Sequence, residues 1–364
     1  MVLFAHTHSQ EKKMQKHART HVIFGLLTIS ILILSGCGKG KETTPSEQAA
    51  TPQALTTAPA ETTMPAAQGL PDTISFKKDA LYPEGLEYDT AKDRFLVTSL
   101  HEGTVGTVTP AGDYNVLFQD GHMVSAIGIR IDKDRDRVLV CNSDPGVSIH
   151  TKPETQGKLA GLGVFQLSTG TLIKYIDLAS LSEGGGHFCN DIALDNNGVA
   201  YVTDSFSPII YKVDADNNAS IFLQNDKFTG EGFNFNGIVV KDDYLLVAKY
   251  NDGTLFKFPL DDPQKFSQVN LEGTYPGADG LLWAADGSLI LIANAQTNKV
   301  LKLTSEDGWA SAKVAGTADT GQVFPTTGKE INGDIYVLYA MLHVVFNPEA
   351  KEQVGTFEIH KIMF

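Results

Sequence analysis

Residues 278–293, with the sequence ADGLLWAADGSLILIA, contain the pattern that decides the fold of this 364-residue chain. The polar second residue, Asp279, is followed by Gly, an apolar strand, the turn dipeptide Asp286-Gly287 and a second apolar strand. Short apolar runs that are bounded by turn signals are typical of buried β-strands. The stretch therefore predicts two antiparallel strands joined by a tight turn.

The same unit occurs six times along the chain. The second residues of the six copies are Glu84, Ile127, Asn190, Asn236, Asp279 and Thr327, with spacings of 43, 63, 46, 43 and 48 residues. One four-stranded propeller blade takes roughly 40–50 residues. The repeat predicts an all-β, six-bladed β-propeller of four-stranded antiparallel blades. We expect an N-terminal strand at 74–76 to pair with a C-terminal strand at 357–360 in one blade, which closes the ring and hides the free edges.

Composition excludes several classes of protein. Hydrophobic residues make up 42% and charged residues 20% of the chain, which is too apolar for a disordered protein. The net charge of −14 argues against a nucleic-acid partner, because such proteins carry a basic surface. Three Cys residues are too few for a disulfide framework. Because residues 73–364 lack sustained helical periodicity, we expect one propeller domain there rather than two domains.

The first 37 residues have the features of a bacterial export signal. Four cationic residues precede an apolar run of 13 residues at 22–34, which is shorter than the roughly 20 residues that span a bilayer. The following Leu34-Ser35-Gly36-Cys37 resembles a lipobox, and this resemblance implies cleavage before Cys37 and lipidation of its thiol. A buried helix followed by a stray Cys is the alternative. Met14 would begin a more ordinary signal than Met1.

Residues 38–72 are predicted to be a flexible tether, because they are rich in Thr, Pro and Ala and have no apolar periodicity. Removal of residues 1–37 takes away four cationic residues and Glu11, which leaves a net charge of −17. We therefore expect an exported, membrane-anchored lipoprotein, on the periplasmic side of an outer membrane or at the cell surface. We also expect a monomer that binds a small-molecule substrate.

The second residues of the repeat predict a metal site. Equivalent positions in different blades converge on the central axis of a propeller. Glu84, Asn190, Asn236 and Asp279 would thus form an all-oxygen set, which suits Ca²⁺ or another divalent cation better than Zn²⁺. The alternative is that Asn-Gly, Asp-Gly and Asn-Asp are ordinary turn dipeptides. Four such residues in one register favour the metal site.

Four short motifs carry a family resemblance. Pro83-Glu84-Gly85, Asn190-Asp191, Asn236-Gly237-Ile238 and Ala278-Asp279-Gly280 resemble the motifs of the regucalcin and gluconolactonase-like six-bladed propellers. Two of them, with their following strands, are also similar to diisopropyl-fluorophosphatase. The resemblance covers about residues 81–364. It implies that Glu84, Asn190, Asn236 and Asp279 bind Ca²⁺ or a related ion. It also implies that Asp279 and Glu84 are the catalytic carboxylates, with Asp279 as base or nucleophile.

The third blade departs from the sugar-lactone members of that family. Those members carry an Arg just before the Asn-Asp motif, whereas Phe188 and Cys189 occupy this region here and His187 is the nearest side chain that can carry positive charge. We expect His187, Phe188 and Asn190 to contact substrate. An apolar lactone or ester is as plausible as an aldonolactone. The three Gly before His187 suggest a mobile lip above the channel, although a plain flexible loop is the alternative.

These residues favour a metal-dependent hydrolase of lactones or related esters, in which the ion polarises the carbonyl group. The alternative is a non-catalytic, membrane-tethered binding or scaffold propeller, because a fold alone does not confer chemistry. We expect Cys141 and Cys189 to be two separate buried thiols rather than a disulfide.

Overall fold

The structure, a computed structural model, describes residues 69–347, 349–350 and 353–364. The predicted signal peptide, the lipobox with Cys37 and nearly all of the predicted tether lie outside these residues, so they stay predictions. Within the described residues, no helix is both long and apolar enough to cross a membrane.

The described chain consists almost entirely of β-strands. The first thirteen strands are β1 (Thr73–Lys77), β2 (Leu86–Asp89), β3 (Arg94–Thr98), β4 (Thr104–Val108), β5 (Tyr114–Gln119), β6 (Ser125–Asp132), β7 (Arg137–Ser143), β8 (Lys158–Gln166), β9 (Leu172–Asp177), β10 (His187–Leu194), β11 (Ala200–Asp204), β12 (Ile209–Val213) and β13 (Ala219–Gln224).

The second half of the chain continues in the same way. Its strands are β14 (Phe235–Lys241), β15 (Tyr244–Lys249), β16 (Thr254–Pro259), β17 (Ser267–Gln268), β18 (Asn270–Leu271), β19 (Ala278–Trp283), β20 (Leu289–Ala293), β21 (Lys299–Thr304), β22 (Ser311–Asp319), β23 (Pro325–Ile331), β24 (Asp334–Tyr339) and β25 (Thr356–Ile362). One short α-helix, α1 (Leu342–Val345), and four 3₁₀ turns at Lys133–Arg135, Ala179–Leu181, Asp226–Phe228 and Pro263–Lys265 complete the described elements.

Hydrogen bonds join these strands into five sheets. Three sheets have four strands, in the orders β2-β3-β4-β5, β14-β15-β16-β17 and β1-β25-β24-β23. A fourth has five strands in the order β18-β22-β21-β20-β19. The fifth has eight, because β8 and β10 pair in parallel over two residues and join the group β6–β9 to the group β10–β13. The all-β, propeller-like fold is confirmed, whereas the expected division into six separate four-stranded sheets is not seen.

The innermost strands form a ring. In cyclic order, β2 contacts β6, β6 contacts β10, β10 contacts β14, β14 contacts β19, β19 contacts β23, and β23 contacts β2. The predicted pairing of the chain ends is also present, because β1 pairs antiparallel with β25 and places Ile74 opposite Ile359 and Phe76 opposite Phe357. The ring brings one end of every innermost strand to a common axis.

Apolar faces of neighbouring sheets pack against each other to form the core. In one cluster, Ile290 and Ile292 of β20 lie against Val337 of β24. In another, Phe235 and Ile238 of β14 lie against Tyr201 of β11. Burial of these side chains on both faces explains why the strands are nearly continuous apolar runs, and each fully buried side chain of this size contributes roughly 1.5–3 kcal/mol. The core therefore holds the innermost strands in place around the axis.

Candidate functional site

A β-bulge lies near the start of each of five innermost strands. The pairing register shifts between Ala126 and Ile129 in β6, and at the equivalent points of β10, β14, β19 and β23. A bulge places two residues opposite one and redirects their side chains. The predicted ligands Asn190, Asn236 and Asp279 all lie inside such bulges, so the local irregularity positions them.

In five of the six copies a glycine follows the second residue of the repeat and permits close approach of neighbouring innermost strands. A methyl group on Gly237 would overlap the carbonyl oxygen of Asp279, and one on Gly128 would overlap the carbonyl oxygen of Asn190. Neither glycine has a positive φ, so the lack of a side chain, rather than backbone freedom, is what these positions require.

Replacing Gly237 with alanine is expected to destabilise the fold by about 1–3 kcal/mol, because the added methyl group must push two innermost strands apart. The change is measured by urea unfolding. Gly121→Ala is a matched control, since no heavy atom lies near that position. Equal stability of the two variants would contradict the close-packing argument.

The four predicted ligands line one cavity on the axis. Glu84, Asn190, Asn236 and Asp279 are each at most 8% exposed and border a space of about 400 Å³, part of which is open to solvent. Among the described residues, no three or more His, Cys, Asp or Glu side chains form a group arranged for a metal. An ion here would therefore depend on the two amides as well as the two carboxylates.

Hydrogen bonds orient the ligand side chains. Nδ2 of Asn190 donates to Oγ of Ser205 at 2.8 Å, whereas its Oδ1 is buried and has no partner among the described residues. Asp279 accepts a hydrogen bond from Nδ2 of Asn294, and Oδ1 of Asn294 in turn accepts one from Tyr250 at 2.7 Å. A buried oxygen without a partner costs roughly 1–3 kcal/mol. A cation would satisfy it.

Electrostatic repulsion also favours a cation in this cavity. Burial, followed by the nearby carboxylates of Asp279 and Asp191, raises the pKa of Glu84 well above its usual value. Burial and the carboxylate of Asp191 raise the pKa of Asp279 in the same way. Carboxylates that are buried together are poorly stabilised as anions unless positive charge lies between them. The donor set thus fits a hard divalent cation such as Ca²⁺.

A charge pair that borders a second small space together with Glu84, Asn236 and Asp279 was not predicted from the sequence. The carboxylate of Asp191 lies 3.1 Å from Nη2 of Arg130, and both side chains are nearly buried, at 9% and 16% exposure. Arg130 also faces Glu87 at 3.9 Å, and Glu87 pairs with Lys329 at 2.6 Å. The signal for Asp191 was available, because the other five copies of the repeat have Gly at this register position.

The wall of the cavity is aromatic and aliphatic. Its lining side chains besides the four ligands are Leu100, Ile127, Phe188, Phe233, Tyr250, Phe324, Leu342 and Phe346. Phe188 packs on Phe233 with ring centroids 5.2 Å apart, and Phe346 is 42% exposed at the opening. None of these lining residues is cationic. The wall suits an uncharged, largely apolar ligand.

His187 is not among the residues that line this cavity. Its side chain is buried rather than displayed on a lip, and its Nδ1 lies 2.7 Å from Oδ2 of Asp204. The hydrogen bond to Asp204 raises the pKa of His187, against the opposing effect of burial. The ring is hydrogen-bonded to Asp204 within the group β10–β13, and the expected contact between His187 and substrate stays a prediction.

The prediction of two separate thiols is wrong. Cys141 in β7 and Cys189 in β10 form a disulfide, with their Cα atoms 5.3 Å apart. The two strands are in contact, which the 48-residue separation along the chain does not reveal. The bond joins the group β6–β9 to the group β10–β13 at the residue next to Asn190.

Comparison with known proteins identifies similar folds at low sequence identity. No known protein-family pattern and no curated protein sequence matches the chain. The allergen Mala s 1 of Malassezia sympodialis superposes with a TM-score of 0.64 at 17% identity, over 80% of this chain and 96% of that one. A luciferin-regenerating enzyme superposes at 0.55 with 12% identity, over 80% and 97%. A structural-genomics protein assigned as a gluconolactonase superposes at 0.52 with 14% identity, over 79% and 92%. At these identities the similarity establishes the fold alone.

Proposed function

We propose that this chain is a divalent-metal-dependent hydrolase of apolar lactones or related esters, with Ca²⁺ as the preferred ion. The observation that carries the proposal is the unpartnered Oδ1 of Asn190 in the cavity that contains the carboxylates of Glu84 and Asp279. Two proteins of similar fold, the luciferin-regenerating enzyme and the protein assigned as a gluconolactonase, have names that are compatible with such chemistry.

Glu84, Asn190, Asn236 and Asp279 would hold the ion, which when bound supplies a Lewis acid for a carbonyl oxygen. Asp279 is the base that takes a proton from water, or the nucleophile that attacks the carbonyl carbon directly. Two consecutive hydrogen bonds, from Tyr250 to Asn294 and from Asn294 to Asp279, orient the Asp279 carboxylate for this role. Ser205 orients Asn190 in the same way, because its Oγ accepts a hydrogen bond from Nδ2 of Asn190.

The cavity wall determines the proposed substrate class. A polyhydroxylated sugar lactone needs many hydrogen-bond partners, whereas the lining above the ligands offers only the Tyr250 hydroxyl, which already donates to Asn294. Burying polar groups without partners is costly, so apolar substrates are favoured. An anionic substrate would find no cationic lining residue.

Hydrolysis of a panel of apolar lactones and aldonolactones tests the proposal. We expect turnover of apolar members that a chelator abolishes and added Ca²⁺ restores, because the chelator removes the Lewis acid. Aldonolactones are expected to react more slowly than apolar lactones. Absence of any turnover by folded, Ca²⁺-loaded protein would instead favour a binding or scaffold propeller.

The fold also supports a finer description. We propose six blades, obtained by dividing the eight-stranded sheet where β8 and β10 pair over only two residues. Each of the resulting groups contributes one innermost strand to the ring. Six copies of the repeat in the sequence agree with this division.

Export and lipid anchoring through Cys37 are proposed from the sequence. Cleavage before Cys37 is expected to leave a mature protein that carries a diacylglyceryl group on that thiol, and intact-mass analysis of membrane extracts measures it. Cys37→Ser is expected to abolish both the modification and membrane association, because the anchor is attached to the thiol. Retention in the membrane fraction by that variant would contradict the anchor.

A further inference from the structure

Outside the central cavity, a serine contacts a histidine, and the same histidine contacts an aspartate. Oγ of Ser182 is 3.4 Å from Nε2 of His187, and Nδ1 of the same ring is 2.7 Å from Oδ2 of Asp204. A nucleophile beside a base that a third group orients is the general arrangement of nucleophilic hydrolases. None of these contacts involves the four proposed metal ligands.

Hydrogen bonds hold the Asp204 side chain in place beside the imidazole. Its Oδ1 accepts hydrogen bonds from the backbone N–H groups of Phe188, Phe206 and Ser207 at 2.9–3.0 Å. Its Oδ2 also accepts a hydrogen bond from the Tyr211 hydroxyl at 2.9 Å. With both oxygens occupied and no exposure to solvent, this carboxylate orients the His187 ring.

The contact with Asp204 determines which ring nitrogen can act as a base. A carboxylate accepts but does not donate, so Nδ1 of His187 must carry the proton in this contact. The neutral ring then has a lone pair on Nε2, which faces Ser182. The backbone of Gly184 also lies near the ring and, like Asp204, raises the pKa of His187.

Ser182 is placed where a substrate can reach it. It ends the 3₁₀ turn Ala179–Leu181 and is partly exposed, whereas His187 behind it is buried. Gly184 and Gly185 follow with φ of +69° and +91°, the left-handed region that favours glycine. Within the described part of the chain, neither N–H group donates a hydrogen bond. They are candidates to stabilise an oxyanion.

We infer that Ser182, His187 and Asp204 form a second, metal-independent esterase site for small uncharged esters. Oγ of Ser182 bonds to the acyl carbon while its proton passes to Nε2 of His187, and the leaving alkoxide departs with that proton as an alcohol. Water then attacks the acyl-serine with His187 as base, which releases a carboxylic acid and restores the hydroxyl. Exposed Glu183 beside Ser182 disfavours anionic acyl groups.

A fluorophosphonate probe tests this site, because attack by an activated serine displaces fluoride and leaves a stable phosphonyl adduct. Full-length protein is incubated with the probe in the presence of a chelator, and peptide mass mapping locates the adduct. We expect a single adduct on Ser182. We expect labelling to fall more than tenfold in Ser182→Ala and in Asp204→Asn, and p-nitrophenyl acetate turnover in chelator to fall in parallel.

Ser180→Ala is the matched control, because Ser180 lies on the same turn and donates to the Asp177 carbonyl rather than to an imidazole. Its labelling is expected to equal that of wild type. Thermal unfolding shows whether each variant is folded, and Ser182→Ala, at a partly exposed position, decides the test if Asp204→Asn does not fold. Absence of labelling in folded wild type, or labelling that Ser182→Ala retains, overturns the inference. Since chelator is present throughout, neither result bears on the proposed metal site.

Discussion

Replacing Asp279 with asparagine is expected to lower kcat/KM for apolar lactones by roughly 10²–10⁴-fold, the range that a general base contributes. The amide preserves the size of the side chain and its ability to accept from Asn294. It removes the negative charge and the basic oxygen. The rate is measured on the best substrate of the lactone panel with saturating Ca²⁺, and calcium binding is measured separately by calorimetry.

The two measurements separate catalysis from metal binding. We expect weaker Ca²⁺ affinity as well, because one of two carboxylates is lost from the ligand set. If Asp279 is also the base or nucleophile, excess Ca²⁺ restores occupancy but not the rate. Full recovery of the rate would show that the residue is only a ligand. Asp261→Asn, at an exposed position, is the control for a general effect of charge.

Replacing Arg130 with methionine is expected to destabilise the protein by about 3–5 kcal/mol at neutral pH, because it leaves the buried Asp191 carboxylate without its cation. Methionine retains much of the apolar volume of the arginine side chain. The loss of stability therefore measures the removal of the charge pair rather than the creation of a cavity. Urea unfolding of the calcium-free protein measures it, so that ligand binding does not contribute.

A double variant provides the internal check on this pair. Arg130→Met with Asp191→Leu removes both charges, and we expect it to recover a substantial part of the lost stability. Lys329→Met is a control for the loss of a more exposed cation. The Lys329 side chain is more exposed than that of Arg130, so loss of its pair with Glu87 is expected to lower the stability less. An Arg130→Met protein as stable as wild type would show that Asp191 is neutral in the fold.

Part of the candidate site could be predicted because a repeat carries positional information. The spacing of the six copies placed Glu84, Asn190, Asn236 and Asp279 in one register, and the structure places all four on one cavity. The pairing of the chain ends was predictable because a ring of blades must close and leave no free edge. Asp191 was detectable too, as the one departure from Gly at the next register position.

Other features depended on contacts between residues that are distant in the chain. His187 was expected to contact substrate because it is the nearest side chain to the Asn190-Asp191 motif that can carry positive charge, whereas its ring is hydrogen-bonded to Asp204 and does not line the cavity. Cys141 and Cys189 are 48 residues apart and meet only because β7 and β10 are neighbours. Arg130 in β6 and Asp191 in β10 belong to different strand groups and form an ion pair between them.

The amino-acid sequence by itself determined the all-β repeat, the register of its second residues and the oxygen character of the ligand set. These properties follow from local alternation and from spacing, which a linear chain expresses directly. Tertiary structure alone decided the disulfide, the charge pair of Arg130 with Asp191 and the Ser182–His187–Asp204 arrangement. Each depends on how far strands lie apart and which way side chains point after the ring closes, because hydrogen bonds and ion pairs act over a few ångströms in space rather than along the chain.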